Sequence, residues 1–215
     1  MIKCPYCFFE YDESKYSHYC GISPNSNITI AYGSKEYYDS TYKALSVNDR
    51  IRGFEKISKE QWEKDTLDII SPHVSEWLTL ECISLPKRAT SRSAGYDIFS
   101  PFGFILKPNE SIKIPTGFKA YMMDDEKLVF HPRSGLGFKY FVRLANTTGV
   151  GDSDYYNNEG NEGHYWVKIR NEGDKEVSVE AGDAIAQCIF EKYLLADGDS
   201  FIDGKSRIGG LGSTG

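Results

Sequence analysis

Clusters of turn-forming residues recur at short intervals through the second half of this chain. Pro108-Asn109-Glu110, Pro115-Thr116-Gly117, Asn171-Glu172-Gly173-Asp174 and Ala181-Gly182-Asp183 cut it into short runs. Within those runs Ile112 and Ile114 alternate with polar neighbours, as do the residues of 164–170 and 176–180. A period of two lines one face of a strand. Residues 184–190 are nearly all apolar, as in a strand buried on both faces. Many short strands with regular turns predict an all-β barrel or sandwich.

The chain changes character near residue 50. Residues 1–49 hold three of the five cysteines and eight of the fifteen tyrosines, with no sustained period. Residues 51–57 read as a short strand. Ser58-Lys59-Glu60-Gln61 then reads as a capping box: the Ser hydroxyl accepts from the third amide and the Gln reaches back. Trp62, Thr66, Ile69 and Ile70 follow on one helix face, and Pro72 stops it. The spacing predicts a helix over 59–70. At 215 residues the chain has room for an appendage over 1–49 and one domain over 50–215. That domain needs no disulfide framework, because a chain of this size buries roughly 70% of its unfolded surface.

The net charge of −6 argues against broad, phosphate-driven nucleic-acid binding, which needs a basic face. A small anion held by a few local donors remains open. No stretch approaches the ~18 apolar residues of a membrane span. The first fifteen residues carry no apolar run of the secretory kind. Five sparse cysteines, Cys4, Cys7, Cys20, Cys82 and Cys188, fit a reducing compartment, so a cytoplasmic location is expected. The N-x-[ST] triplets at Asn27 and Asn146 are then chance matches.

Three segments could carry chemistry. Pro132-Arg133-Ser134-Gly135-Leu136-Gly137 joins a guanidinium, a hydroxyl and two glycines. Such a cluster grips a phosphate through close amides and a bidentate Arg, or is a plain surface turn. Residues 146–156 place Asp152 and Asp154 two apart, on one strand face or splayed at a turn. One of them could serve as a general base beside an aromatic ring, or the segment is an acidic hairpin. The last twelve residues hold five glycines, which suits a flexible flap over 204–215 closing on an anion, or a frayed end. The Gly-Lys-Ser at 204–206 follows its earlier Gly198 one residue too far for a nucleotide P-loop. Asp197, Asp199 and Asp203 lack calcium-loop spacing.

Taken in order, Ser93-Ala94-Gly95-Tyr96-Asp97, then 132–137, then 149–155, then Gly182-Asp183-Ala184-Ile185-Ala186-Gln187, then the Gly-Ser-Thr-Gly end resemble the five motifs of the trimeric dUTPase family. The resemblance covers 51–215 and leaves the first 49 residues unmatched. It implies a jelly-roll-like β fold, a homotrimer with shared active sites, and Mg²⁺-dependent hydrolysis of dUTP to dUMP and pyrophosphate, which limits uracil incorporation into DNA. It implies Asp152 as general base. Asn146 and the backbone around Gly149 would read uracil, and Tyr155 would sit under the deoxyribose and block a 2′-hydroxyl. Arg133, Ser134, Gly135 and Gln187 would hold phosphates, with Asp97 as a supporting carboxylate. Arg207, Leu211, Gly212, Ser213 and Thr214 would close over the ligand. Attack on a triphosphate asks mainly for positioning and charge neutralisation. Mg²⁺ carried by phosphate oxygens needs few protein ligands.

Three positions depart from the family pattern. Gly151 stands where a branched aliphatic is usual, which is expected to loosen Asp152. Leu211 replaces a Phe that stacks on uracil. Arg207 lies two residues before Gly209-Gly210 instead of three, and Ser206 takes the usual slot. Weaker closure of the flap is expected.

In the appendage, Cys4, Cys7, His18 and Cys20 form C-x₂-C-x₁₀-H-x-C. Four such ligands can make a closed, structural zinc site, though the second pair is unusually tight; free thiols are the plain reading. Two other functions compete with dUTP hydrolysis. One is a dCTP deaminase of the same superfamily. The other is a nucleotide-sensing regulator whose N-terminus docks a protein partner. Asp152 and Tyr155 fit the hydrolase motif better.

Overall fold

The computed structural model describes residues 2–3, 10–11, 50–67, 78–199 and 210. The chain divides into two compact units, Met1–Arg50 and Ile51–Gly215. In the first, strands β1 (Ile2–Lys3) and β2 (Glu10–Tyr11) pair antiparallel. Cys4, Cys7, His18 and Cys20 lie outside the described residues.

The second unit is built from short strands. In chain order they are β3 (Gly53–Lys56), β4 (Lys87–Arg88), β5 (Tyr96–Phe99), β6 (Phe104–Leu106), β7 (Ser111–Pro115), β8 (Phe118–Tyr121) and β9 (Glu126–Pro132). There follow β10 (Val142–Leu144), β11 (Gly149–Asp152), β12 (Trp166–Asn171), β13 (Val177–Val179) and β14 (Ala184–Lys192). Two short helices are described, α1 (Lys59–Thr66) and α2 (Ser134–Tyr140). A five-stranded sheet runs β11-β9-β14-β5-β4, a three-stranded one β10-β12-β7, and β13-β6 and β3-β8 pair separately.

The alternation seen in the sequence becomes one buried face. In β12, Val167, Ile169 and Asn171 are buried while Lys168 and Arg170 point out. Ile114 faces Val167 and Ile112 faces Ile169 across the β7–β12 ladder. With Ile98, Leu106, Phe118, Leu128 and Ile185 they form a single core. Each fully buried aliphatic stabilises by about 1.5–3 kcal/mol relative to an exposed one. The nearly all-apolar run at 184–190 falls in β14, which is flanked on both edges by β9 and β5. Its Cys188 is fully buried, and burial pushes the thiol's pKa up, so it packs as a small hydrophobe. The run expected to alternate from His164 becomes strand only at Trp166; His164 and Tyr165, in the loop before it, are both buried and break the alternation.

Helix α1 begins where the capping signal puts it. The Ser58 hydroxyl accepts from the Gln61 amide at 3.1 Å. The return half of the box differs: the Ser58 amide donates to Glu162, at 3.0 Å, from a loop 104 residues away. Trp62 and Thr66 are buried as expected, Trp62 beside Ile57, Leu78 and Ile83. Helix is described as far as Thr66; Ile69, Ile70 and Pro72 lie outside the described residues.

A part-buried polar pair ties α1 to the loop before β12. Asp65 Oδ2 lies 2.6 Å from His164 Nδ1, and the Gly117 amide donates to His164 Nε2 at 2.9 Å. An amide can only donate, so Nε2 carries the lone pair and Nδ1 the proton. Burial lowers the pKa of His164, partly opposed by Asp65, and the ring sits neutral in the fold. A neutral buried His contributes stability above its unfolded pKa of about 6.5, and loses it as pH falls toward the depressed folded value. Thermal midpoints should therefore drop from pH 7 to pH 5, and His164→Gln should flatten that slope. A wild-type midpoint constant over this range would contradict a buried neutral ring.

Candidate active site

The family-like motifs converge on adjacent strands. Asp97 on β5 pairs in register with Gln187 on β14, and Gln187 with His131 on β9. Two residues beyond His131, the chain leaves β9 and Arg133 precedes the first turn of α2. Its guanidinium makes an ion pair with Asp97. Gln187 Nε2 donates to the Pro132 carbonyl at 3.2 Å. Gly95 permits this arrangement, since a Cβ there would stand 2.5 Å from Gln187 Oε1. Ser134 and Gly135 are exposed at the start of α2, so the segment expected as a phosphate grip is a strand-to-helix junction.

A groove of about 1030 Å³ opens over this junction. Its walls include His131, Arg133, Ser134, Lys168, Arg170 and Gln187. Arg143 also lines it, paired with Glu172 at 2.9 Å. In a chain of net charge −6, this concentration of cationic side chains is a local reversal that suits an anionic ligand.

Several residues of the 146–155 motif, Asp152 not among them, gather around a second, smaller cavity of about 120 Å³. Asn146, Gly149, Gly151, Tyr155 and Gly210 line it, and Leu144 and Lys168 border both spaces. Asn146 is exposed in the turn joining β10 to β11, where the Thr147 amide donates to the Leu144 carbonyl at 3.0 Å. Asp152 ends β11, and Asp154 lies in the 3-10 turn Ser153–Tyr155 that follows. The two carboxylates therefore splay at a turn, and both are exposed.

Tyr155 is buried and held by its hydroxyl. It donates to the His164 carbonyl at 2.9 Å and accepts from Asn161 Nδ2 at 2.7 Å. Gly210 of the tail packs on the same ring, where a Cβ would come within 2.5 Å of Cε2. Arg207, Leu211, Gly212, Ser213 and Thr214 lie outside the described residues.

Gly151 has a neighbour that accounts for it. A Cβ at 151 would stand 2.2 Å from the Tyr165 hydroxyl oxygen and 2.7 Å from its ring. The volume usual at this position is supplied by Tyr165, from the loop before β12, so the glycine leaves no gap behind Asp152. Gly151→Val should destabilise the protein by about 1–3 kcal/mol through overpacking. Tyr165→Ala in the same chain should recover part of that loss, read as the coupling in a double-mutant cycle of urea midpoints. Independent, additive losses would mean that the two sites do not share this space.

Among the described residues no three His, Cys, Asp or Glu side chains converge to hold a metal ion. No helix among them is long and apolar enough to cross a membrane.

The dUTPase family pattern matches residues 81–215. The chain belongs to the dUTPase family. A deoxyuridine 5'-triphosphate nucleotidohydrolase of Lactococcus lactis subsp. lactis is 46% identical over 133 residues, covering 62% of this chain and 89% of that protein. One from Mannheimia succiniciproducens is 38% identical over 137 residues, covering 61% and 87%. The crystal structure of the dUTPase from Streptococcus mutans superposes with a TM-score of 0.52 at 36% identity, covering 68% of this chain and 99% of that one. The dUTPase of the S. aureus phage phi11 shares the fold at 17% identity, with a TM-score of 0.51 over 74% of this chain and 100% of that one. The all-β, jelly-roll-like dUTPase architecture is thus the one present. The Asp65–His164 pair and the Gly151–Tyr165 exchange carried no signal in the linear sequence.

Proposed function

We propose that this dUTPase-family chain hydrolyses dUTP to dUMP and pyrophosphate by attack of water on the α-phosphate. The observation that carries the reading is the sorting of motif residues into a cationic groove and an adjoining pocket around Tyr155. Arg133, Ser134 and Gln187 hold phosphate oxygens in the groove, with Gly135 next to them at the start of α2. The exposed backbone and side chain of Asn146, with Gly149, pair with uracil. Tyr155 carries the deoxyribose, and its ring leaves no room for a 2′-hydroxyl. Asp97 keeps Arg133 aimed through their ion pair.

Asp152 takes a proton from the attacking water as the new P–O bond forms. The bond from the α-phosphorus to the bridging oxygen breaks, and pyrophosphate leaves with the electron pair. A carboxylate is a weak base near neutral pH, and phosphate anions close by raise its proton affinity. The donor set suits a Mg²⁺ ion carried by the ligand's own phosphate oxygens, which Arg133, Ser134 and Gln187 would hold in place. Such an ion supplies charge neutralisation on the triphosphate. Residues 204–215 close over the ligand as a flap. Cys4, Cys7, His18 and Cys20 are a zinc-binding set within an N-terminal appendage over residues 1–49, and the enzyme works in the cytoplasm.

What one chain leaves unfinished supports a homotrimer with shared sites. Ligand pockets occupy about 300–1,000 Å³, and the Tyr155 cavity has only about 120 Å³. Asp152 sits exposed at the edge strand β11, with Val150 59% exposed beside it. Exposed edges bearing apolar side chains are places where another chain adds. A neighbouring copy placed there supplies the missing walls.

The test is turnover of the full chain with dUTP or dCTP and Mg²⁺, with sedimentation in parallel. Pyrophosphate from dUTP and a trimer support the reading. Ammonia from dCTP would move the chain to deamination, and tight dUTP binding without turnover would make it a sensor.

A further inference from the structure

The family pattern begins at residue 81, yet the segment just before it grips the loop that follows the proposed base. Four contacts run from residues 55–65 to residues 156–164. Glu55 accepts from the Tyr156 hydroxyl at 2.5 Å. The Ser58 amide and hydroxyl both donate to Glu162. Lys64 Nζ donates to the Gly160 carbonyl at 3.3 Å. Asp65 Oδ2 accepts a hydrogen bond from His164 Nδ1 at 2.6 Å. The last contact is the buried one: the His164 side chain is 0% exposed and Asp65 is 16% exposed.

His164 faces three ways. Its Nδ1 is fixed by Asp65, its Nε2 by the Gly117 amide, and its carbonyl accepts the Tyr155 hydroxyl at 2.9 Å. Gly163, at φ +82°, lets the chain turn tightly here; a Cβ would stand 2.4 Å from the Tyr155 carbonyl oxygen. The two bonds to the ring pin the His164 main chain; without Asp65 the ring and the backbone that bears it can shift, and the Tyr155 hydroxyl would keep Asn161 as its firm partner. We propose that Asp65, on a helix outside the family-matched residues, positions Tyr155 through His164 and thereby sets how strictly the site excludes a 2′-hydroxyl. The inference rests on the reading that Tyr155 lies under the sugar.

Rigidity is what this kind of selection needs. A hydrophobic pocket that yields rejects an added hydroxyl by only about 10², whereas a fixed wall rejects it by overlap. Displacements up to about 1 Å at a reacting centre change rates by up to about 10². Asp65 is therefore a positioning residue, and its effect should appear in the choice between substrates.

The experiment measures kcat/KM for dUTP and for UTP on the full chain. Asp65→Ala should lower the dUTP/UTP ratio by about ten- to a hundredfold. Asp65→Asn keeps an acceptor for Nδ1–H and should stay near the wild-type ratio. Tyr155→Phe cuts the same tie from its other end and should lower the ratio by a comparable factor. A purely structural role would reduce the thermal midpoint and the active fraction, but not the ratio, since both substrates meet the same folded molecules. Tyr155→Ala separates the two layers. If it collapses the ratio while Asp65→Ala and Tyr155→Phe leave it intact, the relay is wrong and the sugar reading stands. If Tyr155→Ala itself leaves the ratio unchanged, the sugar reading fails. Should Asp65→Ala not fold, Tyr155→Phe and Asp65→Asn decide: an unchanged ratio in Tyr155→Phe, or one lost in Asp65→Asn, overturns the proposal.

Discussion

Asp152→Asn is expected to bind dUTP almost as the parent does while kcat falls by about 10²–10⁴, the range that a positioned general base contributes. The substitution keeps the size and the hydrogen-bonding reach of the side chain and removes its basicity. Position 152 is the exposed end of an edge strand, and the near-isosteric amide leaves its packing unchanged. Single-turnover measurement of pyrophosphate, with dUTP affinity from calorimetry, separates the two effects. A kcat within threefold of the parent would take Asp152 out of the mechanism.

Arg133→Ala should cost about 10²–10³ in kcat/KM for dUTP, on the scale of removing one preorganised donor from a developing negative charge. Arg133 lies in the cationic groove and is tied to Asp97. Arg133→Lys should recover only part of the loss, because an ammonium cannot grip phosphate oxygens as a planar fork does. The alanine variant also leaves the largely buried Asp97 without its cation, so thermal midpoints belong beside the kinetics. Asp97→Asn should lower kcat/KM less than Arg133→Ala, since it frees Arg133 without removing it. Equal losses in both would assign the effect to the ion pair and not to a phosphate contact.

Much of the fold is legible locally. Turn residues at 108–110, 115–117 and 181–183 separate strands whose period of two reports which face is buried. Those signals act over a few residues, and a linear reading finds them. The motif residues Asp97, Arg133, Asn146, Asp152, Tyr155 and Gln187 are legible as well, because five short patterns fall in family order. Their grouping is not. That Asp97, Gln187 and His131 stand in one row depends on β14 inserting between β5 and β9. That Asn146 and Tyr155 face a different space depends on the chain crossing from the β10–β12 sheet to the β9–β11 sheet after β10.

Helix α1 shows where local reading stops. Its start at Ser58 is a short-range hydrogen bond and was foreseeable. The partner of the Ser58 amide, Glu162, and the partner of Asp65, His164, lie about a hundred residues away, where no periodicity links them. The exchange of volume between Gly151 and Tyr165 is of the same kind. In the sequence Gly151 reads as a weakness beside the proposed base, and in the fold Tyr165 fills its place.

Strand periodicity, turn chemistry and ordered motifs, all carried by near neighbours, were enough to place this chain among all-β dUTPases. Packing decided the rest: which motif residues share a space, what fills the hollow at 151, and why a helix before the matched region touches the loop after Asp152. Close packing and buried hydrogen bonds select partners by distance in space, and only the closed chain defines that distance.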